Sequence, residues 1–149
     1  MLLFGLLSAG ILWNQNLAMA HGARVGGRYA ATLPTRGYST LDDYLDAVAA
    51  RVVAASEGSV DSSAAGRVVC VAYVYPSGTA TLDRTRSRRE DASGVTRTNS
   101  TCFTDDQGTS ERRIQVMTER SGTLETGLWS RTVTLHQQLV FRYEISHGL

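Results

Sequence analysis

Apolar residues open the chain as a block: residues 1–13 (MLLFGLLSAGILW) are almost wholly hydrophobic, and no Asp, Glu, Lys or Arg occurs before Arg24. After Asn14, Gln15 and Asn16 the pattern changes without stopping, with Leu17, Ala18, Ala20, Ala23, Ala30 and Ala31 and no proline before Pro34. Helix is therefore predicted to continue to about Thr32. Arg24 and Arg28, four residues apart, share one face of it. Ala20, Ala23, Gly27 and Ala31 form a small-residue face, while Gly22, Gly26 and Gly27 weaken the middle. Such a segment permits close helix packing and equally permits a hinge.

Residues 34–38 read as a short linker. Ser39 or Thr40 then caps a second helix, with Asp42 and Asp43 in its first turn and Gly58 just past its end. Leu41, Leu45, Val48, Val52 and Ala55 recur at helical spacing, a stripe suited to packing on a sheet. Beyond a small polar loop at 59–66, residues 67–75 (RVVCVAYVY) are β-branched, aromatic and apolar on both faces, the pattern of a central strand. A turn at Pro76, Ser77 and Gly78 leads into a second predicted strand at 79–83. The charged run 84–91 (RTRSRRED) reads as a solvated hairpin tip or loop, because acids interrupt it. A third strand is predicted at 95–103, a fourth at 113–120 and a turn-rich loop at 122–127. The end of the chain alternates cleanly. Val133, Leu135, Leu139, Phe141, Tyr143 and Ile145 face one way and Thr132, Thr134, His136, Gln138, Arg142 and Glu144 the other, as in a long, half-buried antiparallel strand. The predicted class is α+β: a long N-terminal apolar helix, and a second amphipathic helix packed on an antiparallel sheet of about four to five strands. Two parts follow, an N-terminal helix at 1–33 and an α+β domain at 34–149, with no internal repeat.

The apolar opening admits three readings. Thirteen helical residues rise only about 20 Å, short of a hydrocarbon core of about 30 Å, so the run by itself is a poor transmembrane span. It reads as a secretory signal peptide, with Ala18, Met19 and Ala20 as a small-x-small cleavage site before His21, although no basic region precedes it. It reads also as a membrane helix whose upstream half is absent from this chain. The third reading, an ordinary buried helix, asks a short domain to cover it on all sides.

Composition narrows the function. One domain is all that 149 residues with 42% hydrophobic and 19% charged content build. The net charge is +1, and fifteen arginines interspersed with fourteen acids make no basic patch, so no nucleic-acid partner is predicted. Cys70 and Cys102, an even number in a chain that looks exported, favour one disulfide over a metal site or redox pair. That bridge would close a loop of about 33 residues and contribute roughly 3–4 kcal/mol; the alternative is two reduced core cysteines that never meet. His21, His136 and His147 are far apart and stand in no metal-ligand spacing. Asp42, Asp43 and Asp46 are explained by capping and solvation, and Asp105, Asp106 and Gln107 by a turn. No nucleophile elbow, P-loop or zinc-protease motif occurs, and Asn99, Ser100 and Thr101 form only a formal glycosylation triplet. No enzyme, cofactor, metal site or small-molecule substrate is predicted.

The segment LLFGLLSAGILWNQNLAMAHGARVGGRYAATLP resembles the membrane-exit segment of TadE-like proteins, pseudopilins of Tad/Flp-type pilus assembly. There an apolar helix ends in Leu-Phe-Gly, here Leu3, Phe4 and Gly5. A Gln/Asn pair follows, here Gln15 and Asn16, and then an Ala-rich turn and an Ala-Arg…Gly-Arg-Tyr-Ala-Ala series. In this chain that series is Ala23, Arg24, Gly27, Arg28, Tyr29, Ala30 and Ala31. The likeness covers about 33 residues; the late strands and the pair Arg142 and Glu144 match only in outline. Family members carry upstream a basic leader, a prepilin-type processing site and a glutamate early in the mature helix, none of which occurs in these residues. Either the start lies too far downstream, or the chain is truncated, or it is a diverged, unprocessed protein. The resemblance implies a minor pseudopilin or pilin, a structural part of a type IV-related pilus. It would be held in the cell membrane with its C-terminal domain outside, or in the extracellular pilus. Leu3, Phe4, Leu6, Leu7, Ile11 and Trp13 would pack the helix against other pilins or the membrane, and Arg24, Arg28 and Tyr29 would lie at the membrane–water boundary. The competing expectation is a secreted binding or structural protein with residues 1–20 removed.

Overall fold

A computed structural model describes residues 2–33, 35–75, 84–107 and 111–143. Helix α1 (Leu2–Thr32) is unbroken, and α2 (Leu41–Ala55) follows after a short 3-10 turn, Thr35–Gly37. Strands β1 (Val68–Val74), β2 (Arg86–Asp91), β3 (Gly94–Thr98), β4 (Arg113–Glu125) and β5 (Ser130–Arg142) make one antiparallel sheet in the order β3-β2-β1-β4-β5. The class is α+β, with both helices on one face of a five-stranded sheet.

Glycine decides how the helices meet. A Cβ on Gly22 would collide with Ser56 Oγ and the Val52 carbonyl, one on Gly26 with Val52 Cγ2, and one on Gly27 with the Phe141 ring. The glycines that cost α1 intrinsic stability are thus the points where α2 and β5 come closest, and the segment packs instead of hinging. Met19, Ala23 and Ala30 of α1 join Tyr44, Leu45, Val48 and Val52 of α2 against Val69, Val71, Tyr73, Ile114 and Val116 of the sheet. Helix α2 is capped as expected, Thr40 Oγ1 accepting from Asp43 N at 3.1 Å, and it lies between α1 and strands β1 and β2. At the C-terminal end of α1, Tyr44 donates its hydroxyl to Ala30 O at 2.7 Å and Tyr143 donates to Leu33 O at 2.6 Å. These bonds satisfy carbonyls that the helix terminus leaves open.

Strand β1 is central and buried along its whole length, as its two-faced apolar pattern predicts. The charged run is not a solvated loop: residues 86–91 form β2, beside β1 in the sheet. Every second residue of β2 faces α2, and there Arg86 meets Asp42 and Arg88 meets Asp46, so carboxylates from the helix neutralise what would otherwise be buried charge. The third strand is shorter than predicted and Cys102 lies beyond it, in a loop. The loop expected at 122–127 is mostly strand, because β4 runs to Glu125 and turns only at residues 126–129. Gly122 suggests a turn in sequence, yet it sits where Leu12 of α1 leaves no room for a Cβ. The strand predicted at 79–83, the turn before it, and Glu144, Ile145 and His147 lie outside the described residues.

On the far face of the sheet the Cys70–Cys102 disulfide is formed. It ties residues 99–107 over Val68 and Met117, with Phe103 packed between. Gln115, fully buried, donates to Phe103 O at 2.9 Å and to Asp105 Oδ2 at 2.6 Å, and accepts from Cys102 N at 3.0 Å.

Candidate assembly surface

Pairing of β1 with β4 stops at Val68 and Glu119, whereas β4 and β5 stay paired as far as Glu125 and Ser130. Residues 120–135 therefore project past the sheet as a two-stranded ribbon with a tip at 126–129. The first half of α1 lies along this ribbon. Ser8 Oγ donates to Glu125 O at 3.0 Å and accepts from Glu125 N at 3.2 Å, Leu12 seats on Gly122, and Asn16 Oδ1 accepts from Gln137 Nε2 at 2.8 Å. Strand alternation turns Thr123, Thr132 and Thr134 to the ribbon's other, solvated face, while Ser121 on that face is half-buried beside Gly66. Helix and ribbon together form an arm, polar on its strand side.

The helix side of the arm is apolar and uncovered. Leu3, Phe4, Leu6, Leu7, Ile11 and Trp13, and Leu17 after them, are between 52% and 77% exposed and spread over about half the helix circumference. The sequence singles out the first six, and the structure brings them together on one side. Leu128 and Trp129, 77% and 54% exposed, stand at the ribbon tip beside the first turns of the helix, where Thr126 approaches Gly5. Leu128 and Trp129 fall between the loop predicted at 122–127 and the last predicted strand and carry no role in the sequence-based expectation; two large apolar side chains directly after Gly127 were the available signal. Together the nine side chains expose on the order of 1,000 Å², well above the 300–600 Å² of a typical largest patch.

Grooves flank this ridge. One, of about 620 Å³, runs between Leu6, Leu7, Gly10 and Ile11 and the polar groups Glu57, Ser59 and Arg120. Gln15 Oε1 lies buried at this groove with no hydrogen-bond partner among the described residues. The other, of about 440 Å³, separates Leu12 and Trp13 from Leu124 and Leu135. Further along α1 the outward stripe carries His21 and then two cations, Arg24 and Arg28, all exposed, and neither arginine has an ion-pair partner among the described residues. Tyr29 turns instead toward the body, its hydroxyl 3.3 Å from that of Tyr38 and its ring under Arg51.

Elsewhere, charge is arranged for packing. Asp42 takes both oxygens to Arg86, at 2.7 and 2.8 Å, and that hydrogen bonding holds its carboxyl below the usual carboxylate value. Burial pushes Glu90 the other way, but hydrogen bonds from Arg88 and Arg67 outweigh it, so its carboxyl also sits low. Asp105 follows the same logic, desolvated yet held ionised by Arg113 and Gln115. His136 Nδ1 lies 2.7 Å from Glu119 Oε1 on an exposed part of the sheet. Among the described residues no group of three or more His, Cys, Asp or Glu side chains is placed to hold a metal ion. Among them, too, no helix is long and apolar enough to cross a membrane.

This arrangement is that of an α+β domain with an apolar contact ridge. No family model, curated protein or solved structure matches the chain.

Proposed function

We propose that the protein is a TadE-like minor pseudopilin or pilin, a structural component of a Tad-type pilus that assembles through its N-terminal helix. The observation that carries this is the ridge of α1, six large apolar side chains from Leu3 to Trp13 that the chain's own domain leaves open. Its partners are other pilin helices and the membrane, and it has no catalytic task. The body stands outside the cell, where a disulfide such as Cys70–Cys102 persists. Arg24 and Arg28 sit where the helix leaves its apolar partners.

Removal of residues 1–20 as a signal peptide is the competing reading. The burial of Met19 weighs against it, since cleavage after Ala20 takes a fully buried side chain out of the core. Intact mass and N-terminal sequencing of native protein from membrane, sheared-surface and medium fractions separate the two. A start at His21 in the medium retires the pseudopilin reading; a start at or upstream of Met1 in membrane or sheared material upholds it. A charge placed on the ridge tests the role of the helix. Leu7→Arg is the suitable change, because Leu7 lies on the ridge and is 62% exposed. The variant is expected to keep the wild-type urea midpoint and to vanish from sheared filaments.

A further inference from the structure

We infer that the arm is a membrane-surface docking element that uses the ribbon tip, Leu128 and Trp129, together with α1, and that its occupant is the headgroup region of an anionic lipid bilayer. The inference uses the same side of α1 as the assembly reading but needs no filament, and the tip lies outside the helix on which that reading rests.

Three observations point to lipid. First, the ridge of α1 is apolar and exposed, the ribbon tip beside its first turns exposes Leu128 and Trp129, and the ribbon's face away from the helix carries Thr123, Thr132 and Thr134. An element apolar on one side and polar on the other lies in an interface without spanning it. Second, the surface carries two tryptophans, Trp13 on the helix and Trp129 at the tip, both more than half exposed, and this residue type settles at headgroup depth. Third, charge follows the same division. The outward stripe of α1 passes from Leu3, Leu7 and Leu17 to Arg24 and Arg28, and α1 contains no acid. Glu119 and Glu125 belong to the ribbon's other face by strand alternation. Glu57 does line the groove beside Leu6 and Leu7, but Arg120 lies in the same groove, and lipid phosphates complement an apolar surface continued by Arg24 and Arg28, which have no ion-pair partner among the described residues. A second copy docked in parallel would instead set Arg24 and Arg28 against their equivalents.

The test is binding of the full chain to vesicles of phosphatidylcholine alone and of equal parts phosphatidylcholine and phosphatidylglycerol, read by co-sedimentation and by tryptophan emission. Trp13→Phe leaves Trp129 as the sole tryptophan. Its emission is expected to shift to the blue with the anionic vesicles. Leu128→Ser combined with Trp129→Ser is expected to weaken binding about tenfold or more, since two exposed apolar side chains lose their burial. Arg24→Gln combined with Arg28→Gln is expected to weaken it about tenfold on anionic vesicles and to leave neutral ones unaffected. The proposal is overturned if wild-type protein ignores the anionic vesicles, or if the tip variant binds them as well as wild type does. Self-association that hides the surface, with no vesicle binding, overturns it equally and assigns the ridge to a second copy. Loss of Leu7→Arg from filaments while vesicle binding follows the tip keeps the two readings separate.

Discussion

Gln115 shows what one buried amide does for a domain of this size. Its two donors and one acceptor hold Cys102, Phe103 and Asp105 to the sheet, so the disulfide loop is fastened both covalently and by hydrogen bonds. Replacement by leucine keeps the volume and strands a backbone N–H, a backbone carbonyl and part of a buried carboxylate. We expect Gln115→Leu to cost about 2–3 kcal/mol in urea unfolding, more than a typical neutral hydrogen bond contributes. The glycines of α1 give a paired prediction. A Cβ on Gly10 meets nothing within 4 Å, so Gly10→Ala should stabilise by up to about 1 kcal/mol through helix propensity. Gly22→Ala meets the Val52 carbonyl and Ser56 and should destabilise by about 1–3 kcal/mol through overpacking. Thermal unfolding of the two variants should move in opposite directions.

Between elements, the arginine and carboxylate network joins α2 to the β2–β3 edge. Arg86 on Asp42, and Arg88 and Arg97 on Asp46, are complemented by Glu90 between Arg67 and Arg88. The carboxyls of Asp42 and Glu90 are depressed in the folded state, as is that of Asp105. A depressed carboxyl gives stability that is complete above its unfolded value, near 4, and is lost as pH falls through the lower folded value. The urea midpoint should therefore be flat from neutral pH to about 5 and fall below about 4. Asp42→Asn should make that fall shallower.

The same network explains how far the fold could be read from sequence. Helix α2, strand β1 and strand β5 were legible because their apolar periods are set by burial close to each residue. Residues 86–91 were not, because a strand of alternating arginines and acids is stable only where a helix supplies Asp42 and Asp46, and such pairing leaves no local signature. The extent of β4 was hidden likewise, Gly122 being a turn signal in sequence and a contact point for Leu12 in space. Of the candidate surface, the helical half could be read as an uninterrupted apolar run. Leu128 and Trp129 could not, since only the reach of the ribbon along α1 places them beside it.

At the scale of the whole molecule, the two ends of the described chain build one core. Gly27 receives the Phe141 ring, and Tyr143 bonds to Leu33 and Thr35 across more than a hundred residues. Strand β5 pairs with β4 and packs on α1, so neither the helix nor the sheet is complete until residues near 143 are present. Such long sequence separations raise contact order and slow folding, since loop closure precedes the contacts that reward it. A chain made or exported N-terminus first thus holds its core open until its last strand arrives. During that interval the disulfide partners, both synthesised earlier, can already meet. Oxidation can therefore precede folding, leaving the final docking of β5 as the step that commits the molecule to its shape.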